Sequence, residues 1–218
     1  MPNSHPSQAL LMDYAAGSLN EAAALLISTH IPLCPACRRQ AQGLEAIGGL
    51  MLDAITPAPV APVDIEAVLR RLDRPHADSR AAEGVPCDTE TARLLPAALR
   101  RRLGTSLKDI KWKSRGMVDQ FDLPLSNTRG AAQLLRLRPG QKVSRHTHDG
   151  IEMTIVLSGG YRDEAGHYMR GDMAVAGPDV EHAPIADADG YCICLVVVDG
   201  SIKLTGPLGR IVNLLLRN

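Results

Sequence analysis

The sequence predicts an α + β multidomain chain, with a small helical bundle at the N-terminus and an all-β barrel at the C-terminus. Up to about residue 72, apolar side chains recur at helical spacing. From about Leu107 the pattern changes to short apolar or alternating runs at Ala131–Leu137, Met153–Leu157, Met173–Ala176 and Tyr191–Val198, with Gly, Pro or Asp between them. Such strands suggest a sandwich or small barrel. The stretch Pro75–Asp88 is polar, contains Gly and Pro, and has no periodicity, which marks a domain boundary. The expected domains are residues 1–85 and 92–202, with 203–218 as a terminal strand or tail.

Composition excludes several functions. Of 218 residues, 24 are Lys or Arg and 24 are Asp or Glu, so no strong field invites nucleic acid or a membrane surface. Residues 1–85 carry a net charge of −3 and residues 86–218 one of +3. One Trp and one Phe leave little to stack on bases. The first residues show no basic region followed by an apolar stretch, and Tyr191–Val198 is far too short to cross a bilayer. A cytoplasmic protein is expected. Five cysteines, an odd number, argue against a disulfide framework and leave Cys34 and Cys37 for metal or redox chemistry.

The helices follow in order. One carries Leu10, Leu11 and Tyr14 and ends at Gly17. Ser18 and Glu21 form a capping box that opens the segment Leu19–His30, which Pro32 ends. Pro35 starts a third helix towards Asp53, with Ala41, Leu44, Ile47 and Met51 along one side. Residues 56–63 hold three prolines and form an extended connector. Asp64 then caps a short helix whose Ile65, Val68, Leu69 and Leu72 make an apolar stripe. That stripe either closes the helical module or docks on a partner.

His30, Cys34 and Cys37 fall at a helix end and the start of the next helix. Two thiolates three residues apart reach one ion, and an imidazole across the bend adds a third ligand. Sulfur with imidazole in tetrahedral geometry selects zinc. His5 is the upstream candidate for the fourth position. The alternatives are a coincidental Cys-x-x-Cys and a thioredoxin-like motif, which needs a preceding strand. His5-Pro6-Ser7, Leu10-Leu11, Asp13-Tyr14-Ala15 and Gly17-Ser18-Leu19, followed by the His30–Cys37 pattern, resemble the zinc domain of ChrR-type anti-sigma factors. The resemblance implies that His5, His30, Cys34 and Cys37 bind zinc. It also implies that four helices within residues 1–85 clasp a group IV (extracytoplasmic-function) sigma factor.

In the second half, Gly140, His146, His148, Glu152 and Gly159 stand at the spacing of the first cupin motif, and the stretch resembles a cupin (jelly-roll) barrel. Two histidines separated by one residue share a strand face. Glu152 follows a turn at Asp149-Gly150, and His182 closes the set from a neighbouring strand. Three imidazoles and a carboxylate suit zinc, Mn, Fe or Ni. In the second motif Gly171 and His182 fit, whereas the proline is shifted to Pro178 and Ala186 stands where asparagine is usual.

Cys192 and Cys194 read as buried small residues or as an oxidant-sensitive pair. Cys87, His76 and His167 read as solvated, Arg100–Arg102 as the polar face of a helix, and Trp112 as a strand anchor. Two functions remain. One is a regulator that releases its sigma factor on an oxidative signal, singlet oxygen being what the resemblance implies. The other is a metal-dependent cupin dioxygenase or hydrolase with a zinc docking module. The sequence offers no separate general base, which favours the regulator.

Overall fold

The computed structural model describes residues 1–59, 62, 64–72, 87–126 and 131–205. Six α-helices come first among these: α1 (Gln8–Ala15), α2 (Glu21–His30), α3 (Pro35–Asp53), α4 (Ile65–Leu72), α5 (Thr89–Leu94) and α6 (Ala97–Leu103). Eleven strands follow: β1 (Lys113–Arg115), β2 (Val118–Asp122), β3 (Ala131–Leu137), β4 (His146–His148), β5 (Glu152–Ser158), β6 (Gly160–Arg162), β7 (His167–Met169), β8 (Met173–Ala176), β9 (Ile185–Ala186), β10 (Cys192–Val198) and β11 (Ile202–Leu204).

Local chemistry sets the helix ends. Gly17 adopts φ +69° just beyond α1, a conformation that other residues resist. The start of α2 differs from the predicted capping box. Asn20 is the cap, its side chain accepting from Ala23 N at 2.9 Å. Ser18 Oγ instead donates to Asp13 O at 3.0 Å, satisfying a carbonyl near the C-terminal end of α1. Pro35 opens α3 as expected, with Cys34 as its cap rather than within its first turn. Ala41 is buried, but Ile47 and Met51 on the predicted stripe are exposed. Asp64 accepts from Ala67 N at the start of α4, where no residue is buried. That helix therefore does not close the module.

The strands form a six-stranded antiparallel sheet ordered β1-β2-β3-β10-β5-β8, a pair β11-β4 and a three-stranded sheet β7-β6-β9. Strand β10 lies between β3 and β5, and both of its faces are covered. Cys192, Cys194 and Val196 join Leu137, Val156 and Tyr161 in one apolar cluster. Leu195 and Val197 face the other way, into a second cluster shared with Leu26, Ile27 and Leu99 of the helices. A strand covered on both faces reads as a continuous apolar run, which is why Tyr191–Val198 lacks alternation.

Helix α2 packs on β5, β10 and α6, while α1 packs on α3. Arg170 ties α5 to the sheet, donating to the carbonyls of Leu157, Arg93 and Leu94 at 3.1–3.2 Å. Arg102 of α6 pairs with Glu21 of α2. The expected boundary at Pro75–Asp88, like His76, falls almost wholly outside the described residues, as does the tail beyond residue 205.

Because Leu26 is fully buried in a core contributed by both helices and sheet, Leu26→Ala should cost about 2–5 kcal/mol. Urea unfolding followed by far-ultraviolet circular dichroism and by fluorescence of the single Trp112 should shift together. Separate transitions would show that the two regions do not share one cooperative core.

Candidate metal centres

Two groups of side chains among the described residues are arranged to hold a metal ion: His5, His30, Cys34 and Cys37, and His146, His148 and His182. The first lies where α2 ends and α3 begins. His5 Nδ1 is 3.4 Å from Cys34 Sγ and 3.5 Å from Cys37 Sγ. A zinc tetrahedron with Zn–S of about 2.3 Å and Zn–N of about 2.0 Å has N–S edges close to these distances. His30 Nδ1 donates to the Gly171 carbonyl at 2.9 Å, so its Nε2 carries a lone pair. That Nε2 is buried without a hydrogen-bond partner. An orphaned, unprotonated nitrogen beside two thiols is what a bound cation would satisfy.

Burial pushes the Cys37 thiol up to about 12, helped by the hydrogen bond with Cys34, and lowers the affinity of His30 for a proton. Without a cation, both groups are therefore neutral. A divalent ion reverses the balance for the thiols by stabilising the thiolates.

The second group sits inside the barrel, its three histidines nearly buried. His146 and His148 project to one face of β4, as their spacing predicts. His182 meets them through a backbone bridge with His146 rather than from a named strand. His146 Nε2 and His148 Nε2 are 3.1 and 3.3 Å from His182 Nε2. The Nδ1 of His146 donates to Ser144 O at 2.8 Å, and that of His182 to Asp163 Oδ2 at 3.3 Å. Both rings therefore aim lone pairs at one point, which is repulsive unless a cation lies between them. Glu152 is slightly apart, its carboxylate oxygens 3.4 Å from His148 Nε2 and 3.8 Å from His182 Nε2. It is within reach of the point the rings face, and burial keeps its carboxyl above the usual range.

Asp163 is a supporting residue that the sequence reading missed. Its Oδ1 accepts from Ala165 N and Gly166 N, fixing the β6–β7 turn, and this frees Oδ2 for His182. A lone Asp before Glu-Ala-Gly looks like an ordinary turn residue, so no local signal marked it. Asp172, in the turn just before β8, carries no local signal either.

A cavity of about 300 Å³ opens beside the histidines, walled by Leu135, Leu137, Val143, Val196 and Cys194. Cys192 and Cys194 lie with their sulfurs 3.6 Å apart, both buried. The neighbouring thiol and burial hold Cys194 well above the ordinary thiol range, which favours neutral packing groups over reactive thiolates. His167 is half-exposed but pairs with Asp187 at 2.8 Å. Cys87 is half-buried, near Arg100 Nη1 at 3.7 Å. The Arg136 guanidinium covers Trp112, consistent with an anchoring role.

Burial and the neighbouring imidazoles hold His148 at about 4, below its ordinary value of 6.5. Between these values the unfolded chain binds the extra proton and the folded chain does not. The contribution is therefore complete above pH 6.5 and is lost as pH falls towards about 4. Metal-stripped protein should lose on the order of 3 kcal/mol across that window. Urea titrations at stepped pH would measure this, and His148→Gln should flatten the slope. An unchanged slope would assign it to other groups.

Residues 100–201 match the ChrR cupin-like domain family. The anti-sigma-E factor ChrR of Cereibacter sphaeroides is 36% identical over 210 residues, spanning 96% of this chain and 95% of that protein. A crystal structure of Rhodobacter sphaeroides SigE in complex with the anti-sigma ChrR aligns with 91% of this chain and 100% of that one, at a TM-score of 0.79 and 36% identity. With 36% identity along nearly the whole length of both proteins and the same fold, the chain belongs to the ChrR family.

Proposed function

We propose that this chain is an anti-sigma factor, a transcription regulator rather than an enzyme. Its helical region, within residues 1–85, sequesters a group IV (extracytoplasmic-function) sigma factor in the cytoplasm, and its barrel senses an oxidative, singlet-oxygen-like signal. The observation that carries this reading is similarity to ChrR along 96% of the chain, an extent that includes the sigma-facing half as well as the barrel.

The surface of the helical region supports it. Ile47, Leu50, Met51, Leu52 and Ile55 at the end of α3 are 55–70% exposed. Ile65, Val68, Leu69 and Leu72 of α4 are 43–69% exposed. Two apolar stripes, consecutive in sequence and both left in water, are costly in an isolated chain and suit a partner that covers them. Among the described residues, no helix is long and apolar enough to cross a membrane.

The metal assignments follow from the donor sets. His5, His30, Cys34 and Cys37 would hold zinc in a closed, structural site that ties the end of α2 and the start of α3 to the segment before α1. His146, His148 and His182, with Glu152, would hold zinc, Mn, Fe or Ni in the barrel, where the adjoining cavity admits a small molecule. A metal there supplies Lewis acidity and a point of oxidative attack. The chain's own residues orient the imidazoles, through Ser144 and Asp163, and exclude bulk water.

Co-purification of the full chain with group IV sigma factors, with metal quantified in the complex, tests this reading. The expected result is a stable complex with one sigma factor. Leu69→Asp should weaken it by about 30-fold or more, the scale of an interface hot spot, while metal content and thermal midpoint stay unchanged. Failure of the metal-loaded chain to bind any sigma factor would overturn the proposal.

A further inference from the structure

We propose that Asp172, a barrel residue, is a positioning residue for the helical metal site: the Gly171–Asp172 turn holds both imidazole ligands of that site in register. The inference rests on the reading of His5, His30, Cys34 and Cys37 as a metal centre and goes beyond it, because it makes the barrel part of that centre's support.

The four donors are not equally well organised by the helices. Cys34 and Cys37 are fixed by the first turn of α3, where Cys37 N also donates to Cys34 Sγ. His30 sits at the end of α2, and its ring orientation depends on the Gly171 carbonyl. His5 lies in residues 1–7, which precede α1 and belong to no helix or strand. Its backbone is placed from outside the helical region. Asp172 Oδ1 accepts from Asn3 N and, at 2.9 Å, from Ser4 N. Met173 N donates to Ser4 O at 3.1 Å. Pro2 presses against Gly171, where an added Cβ would come within 2.8 Å of Pro2 Cγ. The segment leading into His5 thus adds to the edge of the sheet at the start of β8.

Asp172 is only 1% exposed, and a carboxylate is buried that deeply only with strong partners. Its three contacts are all N–H donors: Asn3, Ser4 and, through Oδ2 at 2.8 Å, Met169. The turn itself is anchored to β5, with Gly171 N donating to Val156 O at 2.8 Å and Val156 N to Asp172 O at 3.1 Å. One rigid turn therefore orients two ligands that are 25 residues apart in sequence. This is the relation between a metal ligand and the groups behind it that usually governs affinity.

Asp172→Asn keeps the shape but sets an amide NH2 against N–H donors. The test uses the full chain loaded with Co2+, whose thiolate charge-transfer absorption reports the Cys34/Cys37 site separately from the histidine cluster. Loss of that absorption on adding chelator is timed. Asp172→Asn should speed release by about 10- to 100-fold and alter the ligand-field bands. Added to His5→Ala, it should change release less than twofold, because the Asp172 carboxylate acts through the segment before His5, whereas His30 is held by the Gly171 carbonyl. Should Asp172→Asn fail to fold, Ser4→Pro, which removes one donor from an irregular segment, should also speed release.

Unchanged release in either variant overturns the proposal. Equal acceleration of release by Asp172→Asn with and without His5 also overturns it, since the residue would then act on general stability. If the wild-type chain gives no Cys34-dependent Co2+ absorption, the metal-centre reading itself fails, and the proposal falls with it.

Discussion

Helix α2 is apolar around most of its circumference, and the fold is organised by the need to bury it. Seven of its ten residues are buried, including Thr29 and His30 among the apolar ones. A helix of that kind cannot be satisfied by two short neighbours, which cover one stripe each. It is satisfied by lying against β5 and β10 of the sheet on one side and α6 on another. The two regions that the sequence separates are therefore joined by one continuous core, in which Leu26 and Ile27 meet Ile155, Leu195 and Val197. Docking α2 there also carries its last residue, His30, to the Gly171 carbonyl.

The two clusters gather metal-competent side chains by different means, each relying on groups behind the donors. Burial lowers the proton affinity of His30, His146 and His148, which leaves ring nitrogens available to a cation. The helical cluster is made of two thiols and two imidazoles, a donor set that would complete a tetrahedron around zinc. The barrel cluster is backed by a carboxylate on one ring, a backbone carbonyl on another, and an apolar cavity in front. Its setting is open on one side, towards that cavity.

The parts of this architecture written in local patterns were legible. Short strands bounded by Gly and Pro gave β3, β5, β8 and β10 nearly residue for residue. His146 and His148 share a face because a strand repeats every two residues, and Pro35 opens α3 because it needs no N–H partner there. What stayed hidden depended on long-range partners. Short strands such as β6, β7 and β9 hold two or three residues each, too few for a pattern. The cap at Asn20 was mistaken for Ser18 because two competent caps stand two residues apart, and only the packing of Asp13 decides between them. Asp163 and Asp172 resemble turn residues in sequence. Their roles exist only when residues far along the chain are brought to them.

Strand β5 ties these features together. Its first residue, Glu152, reaches the barrel cluster, and four residues on Val156 grips the turn that supports His30 and the segment before His5. A strand inside a six-stranded sheet, bonded on both sides by β10 and β8, is among the stiffest elements a domain of this size offers. Pairing with β10 holds Glu152 and Val156 at a fixed spacing along β5. The exposed stripes of α3 and α4 lie outside this frame, with their apolar side chains in solvent. The sheet thus links the two clusters, while α4 and the end of α3 keep their apolar side chains in solvent.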